Sequence, residues 1–386
     1  MDKFLSVLQK GMEKKGLTQT VIAKTIGVSV GTVHNYLNGQ QRMGFFVFVK
    51  FAKCIFEEHE VKRLIWEFIN CSPDNKKYNK LDIVREGLEW SIQNAEPELL
   101  EYFIEQDFKL TRNGELGKIY DLFRQRSIGK LSHLKLYDEL ETLKIQGFKK
   151  GESATLLKIA SMYALYESQA HTLFFFEAEK TMKQIDLIKN KYLKKAYSIR
   201  VKEALAIAFM LRNQLTKAEE YCNEILAERD IEHFPLIVNS VYLILAQIYS
   251  FSNYRKSLEF LHKSLSILDG KNHLHQYRRI RVEATYDFIR ILNNDFQNLY
   301  LTDPAEQAHY LAKQENQLSR RRAVEIIDRL EKTNGYISAF QLCYKALALR
   351  SKKLLKLSEE VFLENGDKFY VSLPRMYFRQ FFKDLN

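Results

Sequence analysis

The chain has 386 residues, with 59 Lys and Arg against 48 Asp and Glu, a formal charge of +11 and a pI near 9.2. That length holds two domains with a sizeable core, and the basic balance favours a polyanionic partner. Five prolines and 15 glycines beside abundant Leu, Lys, Glu and Ile predict an all-α chain and argue against sheet-rich or collagen-like classes.

Residues Asp2 to Lys15 read as a first helix with Phe4, Leu5, Leu8 and Met12 inward. The stretch Thr18 to Asn38, TQTVIAKTIGVSVGTVHNYLN, then reads as a helix, a tight turn and a second helix. Ile22, Ala23 and Ile26 mark the apolar side of one helix, Val33 and Leu37 that of the other. Gly27 falls where the chain must turn sharply, and Thr18 and Ser29 are placed as N-caps. This is a helix-turn-helix. Opposite Val33 and Leu37, the solvent side of the second helix carries Gly31, His34, Asn35 and Asn38. Such a helix lies in the major groove and reads bases near its N-terminus. Asn pairs with an adenine edge, Ser29 and Thr32 reach most bases, and Val30 meets a thymine methyl. Gln19, beside Thr18, suits a phosphate. The candidate DNA-contacting set is therefore Thr18, Gln19, Ser29, Val30, Gly31, Thr32, His34, Asn35 and Asn38, and the expected partner is a double-stranded operator. Before Glu57, Lys3, Lys10, Lys14, Lys15, Lys24, Arg42, Lys50 and Lys53 are opposed only by Asp2 and Glu13, which concentrates phosphate attraction on this head.

After a polar connection at Gln40–Arg42, Phe45 to Phe56 (FFVFVKFAKCIF) is rich in β-formers, yet its length and lack of a turn signal predict a buried helix. A further helix near Glu60–Asn70 leads to a polar cluster with Pro73, placing the boundary between Glu57 and Asn75. The expected division is a DNA-binding domain over 1–60 and a second domain over 61–386.

From Leu81 onward, helices follow one another with short polar connections. Residues 205–226 and 244–265 look like copies of one unit: Ala206 and Phe209, then Ala218 and Tyr221, match Ala246 and Tyr249, then Ser257 and Phe260. A weaker copy runs through Tyr310, Leu311 and Ala312 to Ala323, Ile326 and Ile327. Small residues that let paired helices nest, with aromatics between them, approximate the tetratricopeptide pattern. The second domain is thus expected to be a degenerate α-solenoid with a concave, peptide-binding surface.

Catalysis finds no support. There is no GxGxxG or GxSxG, and Gly117-Lys118 lacks the earlier glycine of a phosphate loop. His273 and His275 have no carboxylates at ligand spacing and read as a solvated helix end. Cys54, Cys71, Cys222 and Cys343 are far apart, with no CxxC, and read as free thiols in a reducing cytoplasm. No apolar run reaches the roughly 18 residues that span a bilayer, and no signal-peptide core is present. A soluble, cytoplasmic protein without catalytic residues, metal, cofactor or membrane partner is expected.

The pattern from Gln19 to Gly39 resembles the phage-repressor or Cro-like class of helix-turn-helix. A repressor-like head on a tetratricopeptide-like body resembles the peptide-pheromone receptors of Gram-positive bacteria and their phages. Within that group, YSFSNYRKSLEFLHKSL at 249–265, TDPAE at 302–306 and NGDKFYVSLP at 365–374 are similar to segments of the arbitrium receptors of temperate Bacillus phages. The resemblance implies a lysis–lysogeny transcription factor in the host cytoplasm. Its dimer, joined through C-terminal helices, activates a promoter until a short secreted peptide occupies the body. It further implies that Asp367 and Glu306 hold the peptide's arginine, beside the aromatic Phe369, through charge-assisted hydrogen bonds. Gln247 stands where the family has an asparagine, Asn213 is placed in the same pocket, and Arg229 is the candidate for the peptide carboxylate. The plainer roles are a turn or cap for Asp367 and core packing for Phe369. Two other readings stay open: a bacterial pheromone receptor switched on by its peptide, and a tetratricopeptide adaptor for another protein. The apolar segment Phe369 to Leu385 suits either a homodimer contact or a solenoid cap.

Overall fold

The computed structural model describes residues 2–70, 80–146, 151–268 and 272–382, and all the regular structure among them is helical. The chain forms two compact units, Met1–Ser91 with Glu98–Lys118, and Ile92–Pro97 with Ile119–Asn386. Cys71 and Pro73, which mark the expected break, lie outside the described residues.

The first unit holds α1 (Asp2–Lys14), α2 (Gln19–Ile26), α3 (Val30–Leu37), α4 (Phe45–Ile55), α5 (Glu58–Asn70) and most of α6 (Lys80–Gln93) and α7 (Pro97–Leu110). Gly27 closes α2 at φ +76°, a left-handed conformation that costs a residue with a Cβ about 1 kcal/mol or more. The Thr18 hydroxyl accepts from Val21 N–H at 3.3 Å and that of Ser29 from Thr32 N–H at 3.1 Å, so both expected caps form. Ile22, Ala23, Ile26, Val33 and Leu37 are buried together with Tyr36. A further device closes the motif: buried Lys50 on α4 donates to the Ile26 carbonyl at 2.7 Å, satisfying an orphan acceptor at the end of α2.

The aromatic run is a helix, as its length predicted. Phe45, Phe48, Val49 and Ala52 fall on one stripe without exposure. Phe48 stacks on Phe68 at 4.2 Å, while Phe45 meets Trp90 and Phe103 edge-on at 5.8 and 5.3 Å. These contacts join α4 to α5, α6 and α7, so the compact unit extends past residue 60.

The second unit runs through most of α8 (Glu115–Ser127), then α9 (His133–Ile145), α10 (Gly151–Glu167), α11 (His171–Met182), α12 (Lys191–Leu211), α13 (Leu215–Leu226), α14 (Pro235–Ile248) and α15 (Tyr254–Ile267). It continues through α16 (His273–Leu292), α17 (Pro304–Lys313), α18 (Gln317–Asn334), α19 (Ala339–Leu349), α20 (Lys352–Glu364) and α21 (Ser372–Phe382). The two repeat copies are the hairpins α12/α13 and α14/α15. Ala206, Ala218, Ala246 and Ser257 have no exposure, and Phe209 stacks on Tyr221 at 5.6 Å as Tyr249 does on Phe260 at 6.0 Å. Ser257 replaces the alanine of the first copy by donating its hydroxyl to the Ala246 carbonyl at 2.7 Å. The weaker copy is α17/α18, where Ala312 and Ala323 nest without exposure.

After α20 the chain doubles back. Lys368 and Phe369 donate their N–H groups to the Leu211 carbonyl at 2.7 and 3.1 Å, and His171 N–H donates to the Asn365 carbonyl at 3.2 Å. The Asn365 amide donates to the Gln169 side chain at 2.9 Å. Residues 365–370 are therefore a strap between the last hairpin and helices α10 to α12.

Candidate nucleic-acid face and ligand cavity

None of the nine candidate DNA-contacting residues is buried. Thr18, Ser29, Val30, Gly31, His34 and Asn38 are exposed, and Gln19, Thr32 and Asn35 are half-buried. Ser29 and Thr32 share a hydroxyl–hydroxyl bond at 2.8 Å, and the Asn38 amide lies 2.8 Å from His34 Nε2. With the amide donating, Nε2 is the acceptor and the ring proton sits on Nδ1. The face presents hydroxyls, an amide and a ring to solvent on a helix capped at both ends.

In the second unit, a cavity of about 690 Å³ is lined by α8, α10, α12, α14, α16 and the strap. Its charged lining is four guanidiniums, Arg126, Arg200, Arg278 and Arg281, against Glu167, Glu203 and Asp367. Glu167 Oε1 accepts from Arg126 Nη2 at 2.6 Å and from Arg281 Nη2 at 3.3 Å. Burial alone would raise the Glu167 carboxyl, but the two arginines outweigh it and hold it below its ordinary range. Tyr163 donates to Glu203 at 3.0 Å. Arg278 donates to the Leu236 carbonyl at 2.8 Å, and burial pushes its pKa down to about 10. His171 has a buried Nδ1 without a hydrogen-bond partner, and burial lowers the ring's pKa to about 4, so it is neutral.

Asp367 lies in the strap, 3% exposed. Its Oδ1 accepts from Tyr370 N–H at 2.9 Å and Phe369 N–H at 3.1 Å, yet burial dominates and pushes the carboxyl up to about 7. The residue serves as a turn acceptor and lines the cavity at once. Gly366 before it has φ +83°, and a Cβ there would sit 2.6 Å from the Thr172 hydroxyl.

Of the six residues expected to meet a peptide, Gln247 and Asp367 line this cavity. Asn213 is exposed at φ +60° just after α12, and Arg229 is exposed, pairing with Asp230 at 4.0 Å. Glu306 is buried away from the lining. It accepts from the Tyr344 hydroxyl at 2.8 Å and lies 3.0 Å from His309 Nδ1, and burial drives its carboxyl well up. Phe369 is 3% exposed, edge-on to Phe251 at 5.3 Å and Tyr370 at 4.8 Å. The arginine group was not visible as a motif because its members lie on three helices. The Arg278–Arg281 run on α16 was the one local signal.

The family model for AimR transcriptional regulator-like proteins matches residues 61–379, and one for a helix-turn-helix matches residues 8–58. The chain belongs to the AimR transcriptional regulator-like family. An uncharacterized Bacillus anthracis protein is 30% identical over 254 residues, 65% of this chain and 93% of that protein. Ligand-bound phAimR has the same fold, with a TM-score of 0.71 at 21% identity over 88% of this AimR-like chain and 98% of that one. Selenomethionine phAimR gives a TM-score of 0.60 at 21% identity, covering 98% of this chain and 96% of that one. The chain is thus a helix-turn-helix transcription regulator with an AimR-like helical solenoid. Among the described residues no helix is long and apolar enough to cross a membrane, and no three His, Cys, Asp or Glu side chains are grouped to hold a metal. Cys222 and Cys343 are buried free thiols and Cys54 is half-buried.

Proposed function

We propose that this AimR-like regulator is a peptide-gated DNA switch of the arbitrium type. Its unliganded homodimer grips a promoter operator through α3 and activates transcription in the lysis–lysogeny decision, and a short peptide in the second unit ends that activation. The observation that carries the reading is a polar, accessible reading helix in the same chain as a charged solenoid cavity containing Asp367. The cavity's size suits a short peptide, falling within the range of about 300–1,000 Å³ for ligand pockets. Asp367 is the acceptor for a cationic side chain of that peptide, with Gln247 beside it on the same lining. Dimerisation follows from the need for two half-sites, and α21 offers Phe378 and Phe381, 43% and 36% exposed, to a second copy.

The test is a promoter-fragment shift assay, its salt dependence, and titration with the peptide encoded beside the gene. Replacing both His34 and Asn35 by Ala is expected to weaken specific binding by about 1–3 kcal/mol per lost base pairing, with the helical circular-dichroism signal retained. Unchanged operator affinity in that variant refutes the assignment of α3. Tighter DNA binding with peptide would instead make this a receptor switched on by its signal, since a ligand favours the state it prefers.

A further inference from the structure

A glycine inside a helix loosens it relative to alanine, so each one is expected to answer some need of the fold. Most of the described glycines do. Eight hold a positive φ that residues with a side chain rarely adopt. On α1, α6 and α8, a Cβ at Gly11, Gly87 or Gly117 would sit 2.5 Å from Phe56, 2.3 Å from Phe103 or 3.2 Å from Asp107. Gly44 is the N-cap of α4, a position that accepts glycine well. Gly31 answers none of these needs. It lies in the first turn of α3 without a positive φ, and a Cβ there would meet nothing nearer than the Ser29 hydroxyl at 3.9 Å. It is exposed, at the start of the side of α3 that also carries His34, Asn35 and Asn38. A reading helix meets base edges with its N-terminal residues, so the start of that side goes deepest into the groove. There, the approach of helix to duplex is limited by whatever side chain stands between them.

We infer that Gly31 is the clearance residue of the reading helix: its bare backbone packs against the duplex, and any side chain there would hold α3 away from the bases. This rests on α3 being the DNA-contacting helix, as proposed above. His34 and Asn35, one turn further on, then reach base edges only while position 31 stays empty.

Wild-type full-length protein is first used to enrich duplexes from a library with a randomised core. The best-retained duplex and a scrambled version of it then serve as probes for wild type, Gly31→Ala and Gly31→Leu in shift assays. A helix displaced outwards gives up at least one base pairing. Gly31→Ala is therefore expected to bind the selected duplex at least tenfold more weakly, and Gly31→Leu more weakly still. Neither substitution changes a charge, so affinity for the scrambled duplex, which rests on phosphate attraction, is expected to stay level. Amide-exchange protection of α3 is expected to stay level or rise in both variants, because alanine and leucine favour helix over glycine and have open space there. A merely structural glycine does not combine a firmer helix with weaker specific binding. Selected-duplex affinity of Gly31→Ala equal to wild type overturns the inference and leaves the His34 and Asn35 assignment standing. An equal loss on both duplexes, or weaker protection of α3, also overturns it, because the damage is then not confined to the depth of reading. If wild type enriches no duplex, the DNA-contacting role of α3 fails and takes the clearance role with it.

Discussion

Asp367→Asn separates the charge of the strap from its geometry. The folded protein holds this carboxyl at about 7 by burial, while an unfolded chain holds it near about 3.9. The folded state therefore binds the proton more tightly. The stability it contributes is complete below about pH 4 and is lost as pH rises towards 7. The rise from the unfolded to the folded value corresponds to about 4 kcal/mol between acid and alkaline conditions. The amide is isosteric, and its oxygen can still accept from the Phe369 and Tyr370 N–H groups. The variant should match wild type near pH 4 and exceed it at about pH 8 by a few kcal/mol, with about 4 as the ceiling.

The assay is urea unfolding of both proteins at a series of pH values, compared by difference. Glu306, His171 and His309 also titrate abnormally, but they are present in both proteins and cancel in the subtraction. A flat difference across pH, or a variant less stable at pH 8, would show that the carboxylate is solvated or paired rather than held up by burial. Under the proposed function the same variant loses affinity for a cationic peptide while it gains stability, a combination that general damage to the fold does not produce.

Three other outcomes are expected. Gly366→Ala forces a left-handed backbone on alanine and drives its methyl into Thr172, so it should cost about 1–3 kcal/mol in denaturant unfolding and loosen the strap to proteolysis. Lys50→Met removes the donor to the Ile26 carbonyl and should lower the stability of the first unit by about 1–3 kcal/mol, read as weaker amide-exchange protection of α2. Phe45→Ala opens a hole among Phe68, Trp90 and Phe103 and should cost about 3–5 kcal/mol, with near-ultraviolet circular dichroism reporting the loss of aromatic packing.

Short-range chemistry was legible in the sequence, and long-range assembly was not. Thr18, Ser29 and Gly27 could be placed because a cap and a left-handed turn depend on residues within a few positions. The nested alanines of α12/α13 and α14/α15 recur at fixed helical spacing and were read the same way. Lys50, by contrast, lies 24 positions from the carbonyl it caps, and nothing in its neighbourhood marks it as other than a surface cation. The cavity arginines are likewise ordinary members of amphipathic helices until the solenoid curls. Glu306 shows the reverse effect. Its segment matched a binding family, but Tyr344 and His309 claim both its oxygens inside the packing.

A switch also has to meet an energetic requirement. Turning a population from almost wholly one state to almost wholly the other needs a ligand that prefers one state by about 5.5 kcal/mol. A single charge-assisted contact contributes about 1.5–3 kcal/mol, so one alone falls short and two together come close. The cavity lining carries charged groups of both signs, with Asp367 on the strap and Arg126, Arg200, Arg278 and Arg281 on the helices. Asp367 belongs to the strap whose backbone reaches Leu211 and whose neighbour Asn365 accepts from His171, whereas Arg278 belongs to α16. Under the proposed function, a ligand that meets charged groups on both elements would draw strap and helix towards one occupant. Under the proposed function, a peptide reduced to a single such contact would still bind but would leave most of the population where it was.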